Sequence, residues 1–189
     1  MKKILFTRKL MKSSEQYASK IFDVTLNEND KSITKNELIK KSFNYDGILS
    51  SITDIFDTDT ISKLSKKVKI ISNFAVGFGN IDIEAARKKN IVVTNTPDVL
   101  TDATAEIALL VLLGAARRAK EGMEWVKKKS WRWSADFLMG KQLTGSRLGI
   151  LGMGRIGRAL AERARAFGMK IHYYNRSRLN KNLEKDAIY

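Results

Sequence analysis

Cysteine is absent from the 189 residues, and proline and histidine occur once each. Without cysteine there is no disulfide, no thiolate nucleophile and no Cys-ligated zinc, which is compatible with a reducing cytoplasm. No metal site is assigned. Long hydrophobic runs are also missing. The longest, IALLVLLGAA at 107–116, falls short of the ~20 residues that span a bilayer. The amino-terminal MKKILFTRKLMKSS has too short an apolar patch for a secretory signal and reads better as a first strand. A soluble, cytoplasmic protein without membrane contact is expected.

Acidic residues are scarce: 20 Asp and Glu stand against 35 Lys and Arg, a formal charge of +15. Most of the excess lies in 117–178, where sixteen Lys/Arg face four Asp/Glu. A nucleic-acid surface is one reading, but no nucleic-acid module accompanies the charge. A solvated lysine-rich surface, with a few cations set for an anionic cofactor, is the reading preferred here.

The first hundred residues alternate short apolar runs with helical patterns. KKILF (2–6), FDVTL (22–26), DGILS (46–50), VKIIS (68–72) and NIVVTN (90–95) read as strands. SSEQYASKI, TKNELIKKSF, DTISKLSKK and NIDIEAARKK read as the intervening helices. That alternation predicts an α/β layer with parallel strands. Thr34 and Glu37 form a capping-box signature. A boundary is placed near residue 100, giving units 1–100 and 101–189. The second opens with a helix over about 101–118, apolar on nearly every side, so expected to be buried between layers or against a partner. The segment from Lys120 to Gly145 reads as a helical turn and a loop.

SRLGIL (146–151) is a strand, followed by Gly152-Met153-Gly154-Arg155-Ile156-Gly157, the spacing G-x-G-x-x-G. A helix follows with Ile156, Ala159, Leu160, Ala164 and Phe167 on its expected apolar face and Gly168 at its end. MKIHYY (169–174) is the next strand. Gly152 suits a tight turn, Gly154 lets the backbone approach a pyrophosphate, and Gly157 lets helix and strand pack closely. Free N–H groups at the helix start face the phosphates. Flanked by strand, helix and strand, the motif reads as a dinucleotide site. NAD-binding versions place a carboxylate at the end of the second strand, on the ribose 2′-hydroxyl. Here the residues are Asn175, Arg176, Ser177 and Arg178. Two guanidinium groups and a hydroxyl suit a 2′-phosphate, so NADP(H) is preferred over NAD(H).

NFAVGFGNIDIEAARKKNIVVTNTPDVLTDATAEIALLVLLGAARR (73–118) and GKQLTGSRLGILGMGRIGRALAERARAFGMKIHYYNRSR (140–178) resemble the D-isomer-specific 2-hydroxyacid dehydrogenases, and within them the glyoxylate/hydroxypyruvate reductases. The resemblance implies a flavodoxin-like substrate domain and the first β-α-β part of a Rossmann domain. It implies hydride transfer between a nicotinamide and a small 2-oxo or 2-hydroxy acid, in a homodimer. The loop 75–79, with Val76 and Gly77, would receive the substrate carboxylate on its backbone amides, as glycine-rich nests do for anions. Thr104 would lie near the nicotinamide, and the backbone of Arg155 and Ile156 would face the pyrophosphate. Ser50 and Ser51 would line the same cleft or cap a turn. Trp131 and Trp133 would form an interface patch or pack in the core.

The family's catalytic Arg, Glu and His find no counterpart in this chain. His172, within the second strand of the nucleotide unit, reads as structural. With two of the Rossmann strands present, both edges of that sheet would be open, a route to aggregation. The expectation is an incomplete, C-terminally truncated chain, inactive alone. A non-enzymatic dinucleotide-binding or corepressor-like module is the alternative.

Overall fold

The computed structural model describes residues 1–129 and 133–189. The chain divides into two compact units, Met1–Val99 and Leu100–Tyr189.

The first unit is a five-stranded parallel sheet in the order β2-β1-β3-β4-β5. Its strands are β1 (Lys3–Phe6), β2 (Asp23–Thr25), β3 (Gly47–Ser51), β4 (Ile70–Phe74) and β5 (Val92–Thr94). The helices between them are α1 (Lys12–Ile21), α2 (Lys35–Ser42), α3 (Thr58–Lys63) and α4 (Ile83–Lys88). This is the flavodoxin-like order, in which ligands bind outside the carboxyl ends of the strands. Leu5, Ile48 and Ile71, from the three inner strands, are all at most 2% exposed. They pack with Leu38, Phe56, Ile61, Leu64, Val68, Ile81, Ala86 and Ile91 into one core.

Side-chain caps set where the helices begin. Thr34 accepts from the Glu37 amide and Glu37 reaches back to the Thr34 amide, so the capping box is formed. Asp57 accepts from the Thr60 amide at the start of α3 and Asp82 from the Ala85 amide at the start of α4. Replacing Thr34 by Ala is expected to cost about 1 kcal/mol, read as a lower midpoint in urea. Helix α3 ends earlier than its sequence pattern suggests. Leu64 turns extended, and the Lys89 ammonium donates to the carbonyls of Ile61, Ser62 and Leu64.

The second unit holds α5 (Thr101–Ala116), α6 (Ala119–Lys127), β6 (Arg147–Leu151), α7 (Arg155–Ala166), β7 (Lys170–Tyr174) and the short α8 (Lys181–Glu184). Strands β6 and β7 form a two-stranded parallel sheet. Ile150, Met153, Ala161, Ala164, Met169, Ile171 and Tyr173 make its core, with Leu112, Leu113 and Ala116 of α5 against them.

Two helices show how their apolar faces are used. Among the described residues only Ala105 of α5 is buried, while Ile107, Leu110 and Val111 are 60–64% exposed. A helix apolar all round can turn only one side to a two-stranded sheet. On α7 the innermost positions are Gly157, Ala161 and Ala164. Phe167 is 37% exposed. The buried stripe is rotated toward small residues because the helix lies close to the strand turn, where large side chains do not fit. Gly168, at φ +69°, ends α7 in the left-handed conformation that glycine adopts most readily. No helix among the described residues is long and apolar enough to cross a membrane.

Candidate functional site

In the first unit, chemistry-bearing residues gather at the carboxyl ends of β1, β3 and β4. Thr7 donates to the Asp54 carboxylate at 2.6 Å, and the Ser51 amide donates to the same oxygen at 2.8 Å. Asn73, at the end of β4, is 1% exposed. Its neighbour across the sheet, Ser50, is equally buried and donates to Asn73 Oδ1 at 3.2 Å. Ser50 therefore faces the interior. Ser51 caps a turn, its hydroxyl 2.8 Å from that of Thr53.

Beyond β4 lies the loop Ala75–Gly79. Four of its carbonyls are engaged: Ala75 O accepts from the Thr96 amide, Val76 O from the Asn95 side chain, Gly77 O from the Asn73 side chain and Phe78 O from the Ile81 amide. The Ala75 amide donates to Asn73 O at 2.8 Å, and the amides after it differ. Among the described residues, no protein group accepts from the N–H of Val76, Gly77, Phe78 or Gly79. These unused donors lie on the segment where the sequence places Val76 and Gly77.

In the second unit, β6 runs into the glycine turn. Gly152 has φ +100°, which side-chain-bearing residues rarely adopt. A Cβ on Gly157 would lie 2.3 Å from Gly152 O, so the helix can approach the turn only if residue 157 lacks one. A Cβ on Gly154 would meet nothing within 4 Å. That glycine is not required by packing, and its bare face borders open space at the start of α7. Gly154 has no side-chain cap, and α7 carries no acidic residue in its first turn. Arg155 and Ile156 open the helix. Helix N-termini of this kind attract phosphate through unsatisfied N–H groups and the helix dipole.

The segment after β7 closes on the turn. Asn175 Oδ1 accepts from the Met153 amide at 2.7 Å, so that side chain braces the glycine loop. Arg176 and Ser177 are exposed at the tip. Arg178 is turned on to Glu184 in a forked pair of 3.0 and 3.1 Å, beside the Tyr189 ring. Glu184 is 5% exposed and also accepts from the Tyr173 hydroxyl at 2.9 Å. The same hydroxyl accepts from the Leu179 amide at 3.1 Å.

The sequence pattern missed this cluster. It pairs β7 with a four-residue helix that has no periodic signal, and the buried acid looked like one more surface charge.

The Arg178 guanidinium holds the Glu184 carboxyl below its ordinary range, against the opposing effect of burial. A lowered carboxylate stabilises the fold above its unfolded pKa, and that stability is lost as pH falls through the folded value. Unfolding of the second unit is therefore expected to become easier with acid from about pH 4.3 downward. Glu184→Gln should flatten that dependence, as read by circular dichroism midpoints across the acid range.

Thr104 is half-buried on α5. That helix packs along α7, where Arg163 donates to Asp102 at 2.9 Å. His172 is half-buried on β7, opposite Gly149. Trp133 is 78% exposed and so is not core. Trp131 lies outside the described residues.

A parallel flavodoxin-like sheet and a glycine-turn β-α-β unit make this an α/β chain with the kind of turn that dinucleotide-binding folds carry. Residues 4–183 match the family described as D-isomer specific 2-hydroxyacid dehydrogenase, catalytic domain, and the chain belongs to that family. The glyoxylate reductase of Thermococcus litoralis is 41% identical over 181 residues, covering 93% of this chain and 54% of that protein. The glycerate dehydrogenase of Hyphomicrobium methylovorum is 38% identical over 184 residues, covering 97% and 57%. A crystal structure from Polaromonas, described as a putative D-isomer specific 2-hydroxyacid dehydrogenase, NAD-binding, superposes with TM-score 0.88 at 42% identity. It covers 100% of this chain and 60% of that one. The chain spans about half the length of the curated relatives it matches.

Proposed function

We propose that the chain carries the substrate-carboxylate loop and the pyrophosphate turn of an NADP(H)-dependent reductase of glyoxylate or hydroxypyruvate. The observation that carries this reading is the Gly152–Gly157 turn. Its packing demands glycine at 157, and its open face at 154 has no packing reason to lack a side chain. The family and the glyoxylate reductase relatives support the substrate class.

The 2-oxo acid carboxylate sits on the amides of Val76 and Gly77. The pyrophosphate lies over Gly154, Arg155 and Ile156, with Thr104 near the nicotinamide. The 2′-phosphate meets Arg176 and Ser177, while Asn175 shapes the turn beneath. Glu184, the carboxylate nearest in sequence beyond β7, is committed to Arg178 and Tyr173, so it cannot act as the ribose acceptor of an NAD enzyme. Bound NADPH would supply the hydride. The chain's own residues orient the acid and hold the cofactor. No residue within these 189 is assigned as the proton donor, so the chain alone binds without turnover.

Calorimetric titration with 2′,5′-ADP and with 5′-AMP tests the cofactor claim. Tighter binding of the 2′-phosphorylated fragment is expected. Equal affinity would contradict it.

The open face of α5 belongs to the same reading, as a homodimer surface in a cytoplasmic enzyme. Leu110→Glu should shift sedimentation of any dimer to monomer without changing the circular dichroism spectrum. An unchanged dimer would remove α5 from the interface.

A further inference from the structure

Two carbonyls fix the direction of the 75–79 loop, and asparagine side chains hold both. Asn95 Nδ2 donates to Val76 O at 2.8 Å, and Asn73 Nδ2 donates to Gly77 O at 3.0 Å. Among the described residues there are no cis peptides. In a trans peptide the C=O and the following N–H point in opposite directions. Holding Val76 O therefore turns the Gly77 N–H away from Asn95, and holding Gly77 O turns the Phe78 N–H away from Asn73. These are two of the amides that no protein group accepts from.

The orientation of Asn73 is itself determined. Asn80 Nδ2 donates to Ser51 O at 3.1 Å and to Asp54 O at 2.8 Å. That leaves Asn80 Oδ1 as the acceptor facing Asn73, 3.2 Å from its Nδ2. Asn73 must present its amide nitrogen to both Asn80 and Gly77, and its oxygen to the Ser50 hydroxyl. Gly77 is exposed, so water could have solvated its carbonyl. The fold instead commits a fully buried asparagine to it.

We propose that Asn73 and Asn95 are positioning residues for substrate binding, which aim the Gly77 and Phe78 amides outward, beside that of Val76, as donors for the carboxylate of a 2-oxo acid. This rests on the reading of 75–79 as the carboxylate loop. It adds Phe78 N–H to the donors and assigns their direction to two side chains that do not touch the ligand. Loop satisfaction alone would make the two asparagines matter for stability and not for anion affinity.

The test is a glyoxylate titration of the ¹⁵N-labelled 189-residue protein, following the Gly77 and Phe78 amide signals. Asn95→Asp and Asn73→Asp keep the shape and replace the donor with an acceptor. The wild-type protein should show saturable shifts at both amides. Each variant should bind glyoxylate about tenfold more weakly, with NADPH affinity unchanged. Should Asn73→Asp lose the dispersed spectrum of a folded protein, Asn95→Asp, at a half-buried position, decides alone. Variant affinities within twofold of wild type would overturn the positioning role and leave the carboxylate reading standing. No shift at Gly77 or Phe78 in the wild type would overturn the reading beneath it, and this inference with it.

Discussion

Gly154→Ala should weaken NADPH binding more than tenfold while leaving the thermal midpoint nearly unchanged. The separation follows from the space around that residue. An added Cβ meets no protein atom within 4 Å, so the free protein has no reason to resist it. The same methyl would occupy the surface over which a pyrophosphate approaches the α7 amides. Gly157→Ala should behave differently. Its Cβ would fall 2.3 Å from Gly152 O and 3.2 Å from Gly152 C, and both are backbone atoms. Overpacking of this kind costs about 1–3 kcal/mol, and Gly152, at φ +100°, has few conformations into which to retreat. Lower stability and lost binding should therefore appear together. Titrations and melts on the two variants check both claims. If Gly154→Ala bound NADPH normally, the turn would be structural only.

Arg176→Ala should reduce affinity for NADPH by about 10–100-fold, the range of a hydrogen bond to a charged group. Affinity for NADH should stay the same, because NADH has no 2′-phosphate. Arg178→Ala provides the contrast. Its guanidinium is engaged by Glu184, which is 7% exposed at the side chain. Removing it strands a buried carboxylate, so stability should fall while the NADPH-to-NADH ratio moves little. Affinity ratios for both dinucleotides, measured on both variants, decide it. A larger ratio change in Arg178→Ala would reverse the assignment of the two arginines.

Local signals made much of this legible. Alternating runs gave five strands, and the caps at Thr34, Asp57 and Asp82 are short-range chemistry. The glycine turn announced itself by its spacing, and the steric demands at Gly152 and Gly157 are seen in the fold. The capping box at Thr34 formed as its spacing implied.

What pattern could not reach was pairing between distant side chains. Asn73 and Asn95 lie in strand-like stretches, where period-two reading sees only a face. Their partners are loop carbonyls placed by the fold. The sequence shows Arg178 as a charge without showing its forked pair with Glu184. The α5 helix is a different case: uniform apolarity says that a surface needs covering, but not by what.

The central claim is that the backbone at the start of α7 holds a dinucleotide diphosphate. Its most direct measurement is the amide spectrum of the ¹⁵N-labelled chain during titration with NADP⁺. The account predicts the largest shifts at Gly154, Arg155, Ile156 and Gly157, with Arg176 and Ser177 following only when the 2′-phosphate is present. Shifts confined to other residues, or none at saturating cofactor, would contradict it.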